Sequence, residues 1–178
     1  MTIVMLLLGA APAFAECRDD ACGAVEKILQ ARSANFAKLK GKPGPDPRGD
    51  PAWEGTQPIA GLIRSCYIRK HGEGSRYEYH CEASGREKTA ELSREKAKQI
   101  GEKMKAAIDA ADPKIVWFDD PAARALAEIE GYAGTEGWYG GYSKKQIMLK
   151  VEIVVSQIVG HTASVTVFAK PLARPDLR

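Results

Sequence analysis

Four cysteines and three histidines carry most of the reactive chemistry open to this chain: Cys17, Cys22, Cys66 and Cys81, with His71, His80 and His161. Such side chains ligate zinc, exchange disulfides or staple a fold. The cysteines include no Cys-x-x-Cys pair and the histidines have no zinc-site spacing, so we read two structural disulfides and assign no metal and no cofactor. The pairing follows from the segment around Cys66 and Cys81. Arg64-Ser-Cys-Tyr-Ile-Arg-Lys70 and Arg76-Tyr-Glu-Tyr-His-Cys-Glu82 are strand-like runs about the turn signal His71-Gly-Glu-Gly-Ser75. A register centred between Glu73 and Gly74 sets Cys66 opposite Cys81. It also sets Arg69 opposite Glu78, Tyr67 opposite His80 and Ile68 opposite Tyr79, so an ion pair and an aromatic pair support the same alignment. A two-residue and a four-residue loop both keep the cysteine Cα atoms within disulfide reach, at roughly 5.5 or 4.5 Å, and the loop length is left open. Cys17 then pairs with Cys22 at the start of the first helix. In a loop-entropy description the hairpin bridge contributes ~3 kcal/mol and the N-terminal one ~2 kcal/mol.

Of the histidines, His80 stands out because the hairpin register puts it opposite Tyr67 with Glu78 and Glu82 nearby, a setting for acid–base chemistry. The simpler account is an exposed polar residue on a strand. A nucleophile elbow, a His-Glu-x-x-His helix, a phosphate loop and a Gly-x-Gly-x-x-Gly turn are all missing from the sequence, so no catalytic residue is assigned. The segment Gly131-Tyr-Ala-Gly-Thr-Glu-Gly-Trp-Tyr-Gly-Gly-Tyr-Ser143 is the main binding candidate, with four aromatics among five glycines. Read as a loop, it presents Tyr132, Trp138, Tyr139 and Tyr142 as rigid amphipathic rings, while the glycines allow close backbone approach. The bland alternative folds the rings back over a sheet edge. Arg48-Gly49-Asp50 is explained by its flanking prolines and is assigned no function.

These residues need elements to hold them. Residues 1–15 read as a signal peptide, an apolar run ending in Ala13-Phe14-Ala15 ahead of Glu16, although no Lys or Arg precedes it. The run is short of the ~20 apolar residues that span a bilayer, and no later segment approaches that length. Residues 16–178 suit one domain. A net charge of +3 with 28% charged and 44% hydrophobic residues is ordinary for a globular chain and gives no sign of a nucleic-acid partner.

Helical spacing of Val25, Leu29, Arg32, Phe36 and Leu39 predicts a first helix from Asp20 to Lys38. Residues 41–58 hold five prolines and four glycines and read as an irregular surface loop anchored by Trp53. Strands are expected at Ile59–Lys70 and Arg76–Ala83. A long helix follows from Glu87 to Ala110, with Ser84 and Glu87 as its capping box and Glu95/Lys98 and Glu102/Lys105 on a solvated face. A short strand at Lys114–Phe118 and a helix starting at Asp120-Pro121 come next. Alternation from Ile147 to Val155, a turn at Val159-Gly160-His161 and the run Ser164–Ala169 predict a closing hairpin. The fold class is α+β, an antiparallel sheet with two main helices on one face and a disulfide-stapled hairpin.

Together these features predict a secreted or periplasmic, non-enzymatic module that binds a protein in the cell envelope, as an inhibitor, an immunity-type protein or an envelope accessory protein. The alternatives are a periplasmic hydrolase and a small-ligand or carbohydrate-binding protein.

Overall fold

A computed structural model describes residues 17, 19–44, 50–71, 76–84, 92–120, 132–143, 145–156 and 160–173. Several sequence expectations fall wholly or partly outside these residues: the leader, the turn at 72–75, Glu87 of the capping box, the helix after Asp120 and Val159 of the closing turn. Among the described residues eight strands make one antiparallel sheet: β1 (Lys40–Gly44), β2 (Ala52–Gly55), β3 (Ser65–His71), β4 (Arg76–Ser84), β5 (Val116–Asp119), β6 (Tyr132–Gly141), β7 (Gln146–Ser156) and β8 (Thr162–Ala173). Their order is β1-β2-β3-β4-β8-β7-β6-β5, so the stapled hairpin and the C-terminal hairpin are joined through β4 and β8. Helices α1 (Asp20–Ala31) and α2 (Arg94–Ala111) pack together on one face. Among the described residues no helix is long and apolar enough to cross a membrane.

Every register read from the hairpin is present: Cys66 opposite Cys81, Tyr67 opposite His80, Ile68 opposite Tyr79 and Arg69 opposite Glu78. Both disulfides form as expected, Cys17–Cys22 and Cys66–Cys81. The 4.1 Å Cα separation of the second belongs to the closely spaced kind of antiparallel pair, and His71 opposite Arg76 leaves a four-residue connection.

The core consists of rows of side chains that cross the sheet beneath the helices. Ile68, Tyr79, Val167 and Leu149 form one row, and Cys66, Cys81, Val165 and Val151 the next, all buried. Above them α2 turns Ala97, Ile100, Met104, Ala107 and Ile108 inward at helical spacing. Gly101 lies so close to β7 that a Cβ there would collide with the Ile153 side chain, which explains a glycine inside a helix.

Several boundaries differ from the sequence reading. The first helix stops at Ala31, capped at its start by Asp19, whose carboxylate accepts from the Cys22 amide at 2.7 Å. Asn35 and Phe36 take left-handed conformations, which turn Phe36 into the core, fully buried and 5.5 Å from the Tyr79 ring. Burial of a large ring outweighs continued helical hydrogen bonding there. The second helix begins at Arg94, with Ser93 as its cap, accepting from Lys96, while Ser84 ends β4 and Glu87 lies outside the described residues.

Ile59 and Ile63 are buried in a turn, so β3 begins only at Ser65. The 41–58 stretch is not wholly irregular, because β1 and β2 lie within it. Pro43 is tolerated because β1 is an edge strand and needs few ladder donors, while Trp53 anchors the pair against the core as expected. The two strands of the C-terminal hairpin pair as read and are longer than expected at both ends.

Candidate functional site

Side chains alternate across a pleated sheet, so the residues between the core positions project from the face away from the helices. One row of such residues crosses six strands. Tyr67 on β3 pairs with His80 on β4, His80 with Thr166 on β8, Thr166 with Lys150 on β7, Lys150 with Tyr139 on β6, and Tyr139 with Phe118 on β5. All six are half-buried. At the usual strand spacing the row runs for about 24 Å, with aromatic rings at both ends and polar groups between.

The polar centre is interlocked. His80 Nδ1 lies 2.8 Å from Thr166 Oγ1 and its Nε2 lies 3.5 Å from Glu82 Oε2, while the Tyr67 ring sits 4.8 Å from the imidazole. Lys150 Nζ reaches Asp120 Oδ2 at 2.8 Å and Glu152 Oε1 at 3.2 Å. Asp120 is only 1% exposed. Burial by itself would lower the Lys150 ammonium, but hydrogen bonds and charge from Asp120 and Glu152 outweigh it and hold the group above the ordinary lysine range. Burial, with Asp120 beside it, pushes the Tyr139 hydroxyl up, so it stays a neutral donor. At the β3 side, Arg69 pairs with Glu78 at 3.3 Å and donates to the Tyr67 hydroxyl at 2.9 Å, and His71 Nε2 meets Glu78 Oε2 at 2.9 Å. The face therefore offers fixed donors and acceptors of both signs beside ring surfaces.

The aromatic segment assigned to binding is not a loop. It is strand β6, paired on one side with β5 and on the other with β7. Two of its glycines serve packing: a Cβ at Gly140 would press on Leu149 and Ile115, and one at Gly141 would collide with the Gln146 carbonyl. Strand alternation splits the candidate rings. Trp138 turns to the helix side and packs on the core, Tyr139 joins the open-face row, and Tyr142 lies past the strand end, 56% exposed, its hydroxyl donating to Asp112. Tyr132 pairs with Ser156 at the start of β6. Trp138, Tyr139 and Tyr142 do not form one patch.

His80 does meet a carboxylate, Glu82, as its position on the hairpin implied, but Glu78 turns to Arg69 and His71. His161 accepts from the Ser156 amide. A cleft of about 520 Å³ lies elsewhere, between Asp19, Leu62 and Lys103, with no histidine in its lining. Sequence reasoning missed Lys150, Thr166, Asp120, Glu152 and Phe118. The polar alternates of β7 were visible as Lys150 and Glu152, but their neighbours depend on the β8 pairing.

The fold and this face define an α+β protein with a single mixed-chemistry sheet surface and two disulfides. No protein-family model, curated protein or solved structure matches the chain.

Proposed function

We propose that this chain is an exported, non-enzymatic binding module that holds a protein partner of the cell envelope on the open face of its sheet. Two disulfides agree with an oxidising compartment, and the apolar leader supports export to the periplasm or beyond. The observation that carries the reading is the row from Tyr67 to Phe118. Its rings supply contact area at low entropic cost, and its buried ion pairs hold the polar groups in place before a partner arrives. The test is capture from an envelope extract by oxidised residues 16–178. Tyr67→Ala with Tyr139→Ala should abolish retention of the captured protein while folding persists, and Trp138→Ala, on the other face, should keep it. Equal capture by the open-face variant would remove the assignment.

A second reading, a hydrolase, is favoured by one geometry. Thr166, His80 and Glu82 stand in the order nucleophile, base and orienting acid. Against it, Thr166 lies mid-strand, where β8 is laddered to both β4 and β7, so the neighbouring amides have no freedom to gather around an oxyanion. Turnover of a simple ester that is lost in Thr166→Val would reverse this ranking.

A further inference from the structure

On the helix side, each end of the sheet is closed by a lysine laid over two aromatic rings. Lys40 Nζ sits 3.9 Å from the Trp53 ring centre and 4.3 Å from that of Tyr77. Lys105 Nζ sits 4.3 Å from Trp138 and 4.9 Å from Trp117. The second clamp has two indoles, the best aromatic partners for a cation, and it also has acidic neighbours. Trp117 Nε1 donates to Asp109 Oδ1 at 2.6 Å, and Asp119 is the cross-strand partner of Trp138. Two indole faces turned to one cation, with carboxylates beside them, are the elements that recognise alkylammonium groups. Lys105 occupies the place of such a ligand.

We propose that Trp117, Trp138 and Asp109 form a site for a small quaternary ammonium cation, which Lys105 fills until the ligand displaces it. The exchange is favoured by hydration. A primary ammonium is strongly hydrated and makes no use of its hydrogen-bonding capacity on an indole face, whereas a quaternary cation has no N–H to satisfy and leaves water more readily. The flexible lysine stem lets the Lys105 ammonium return to solvent, since the residue is only half-buried. This site does not depend on the open face, and the two readings stand or fall separately.

The experiment is a choline titration of the oxidised protein followed by indole fluorescence and calorimetry, with ethanolamine as the primary-amine control. Choline should quench the indoles and bind at least about tenfold more tightly than ethanolamine, and Lys105→Ala should tighten choline binding by about tenfold by emptying the site. Lys40→Ala should leave the affinity unchanged. Asp109→Asn, which keeps an acceptor for the Trp117 N–H, should weaken binding without unfolding the protein, and it covers the case in which a Trp138 substitution destabilises the fold. Vesicles of phosphatidylcholine identify the source of the group: retention competed by choline supports a headgroup ligand, and quenching by choline without retention supports a free solute. Absence of any heat or quenching in both the parent and Lys105→Ala, or equal affinity for choline and ethanolamine, overturns the proposal.

Discussion

The two faces of this sheet are built by the same strands in the same registers, yet they do different work. On β7, Leu149 and Val151 are buried beneath the helices, while Lys150 between them points to the open face and is held by Asp120 and Glu152. On β4, Tyr79 is sealed in the core and His80, its neighbour, meets Thr166. One face draws most of its stability from apolar contact and from how completely its volume is filled. The other depends on specific partners, and its energy lies in how they are matched. Adjacent residues thus become separable probes of folding and recognition.

The largest difference should come from Leu149→Ala, a fully buried site where loss of contact and the cavity left behind cost about 3 kcal/mol in urea unfolding. A cost below half of that would mean the helices collapse onto the sheet more freely than this packing implies. Next, Lys150→Met should cost roughly 2–3 kcal/mol, because it leaves the buried Asp120 carboxylate without its cation, and adding Asp120→Asn should restore most of the loss. Strict additivity of the two changes would show that the pair is not coupled.

Tyr79→Phe comes third. The Tyr79 hydroxyl accepts from the Gln57 amide and donates to the Gln57 carbonyl, both at 2.9 Å, so its removal should cost about 1–2 kcal/mol. The same group sets an alkaline limit. Burial pushes its phenol up to about 12, above the ordinary tyrosine value near 10. A raised folded value means the native state keeps a proton the unfolded chain has lost, so this stability is intact below pH ~10 and declines as pH rises toward ~12. Tyr139, also raised, contributes in the same direction, as does Lys150 above the ordinary lysine range. Base titration followed by circular dichroism should show a shallower decline in Tyr79→Phe. The smallest effect should be Thr166→Val, under about 1 kcal/mol, since it removes one half-exposed hydrogen bond to His80. If it destabilises as strongly as Leu149→Ala, the open face belongs to the folding core and the contrast between the faces disappears.

Legibility in the sequence followed distance along the chain. The β3–β4 hairpin could be read residue by residue because Cys66 and Cys81, Arg69 and Glu78, and Tyr67 and His80 sit close in sequence and check one another. The alternation of β7 announced a strand for the same reason. The Gly131–Ser143 segment misled because glycine has two uses, freedom in a loop and absence of a side chain under a neighbour, and only the second applies at Gly140 and Gly141. The i, i+3 charges of α2 read as a solvated face, which holds for Lys98, partly exposed even as it reaches Glu136 on β6, but not for Lys105, which covers two tryptophans.

Composition, cysteine spacing and periodicity were enough to settle the fold class, both disulfides, one complete hairpin register and the strands of another, because each rests on local geometry of period two or 3.6. The joining of β4 to β8, the face taken by Trp138 as against Tyr139, and the assembly of Tyr67, His80, Thr166, Lys150, Tyr139 and Phe118 into one row came from packing alone. Those neighbours are separated by up to about ninety residues, and what brings them together is the fit of buried apolar rows under two helices, an interaction with no local sequence signature.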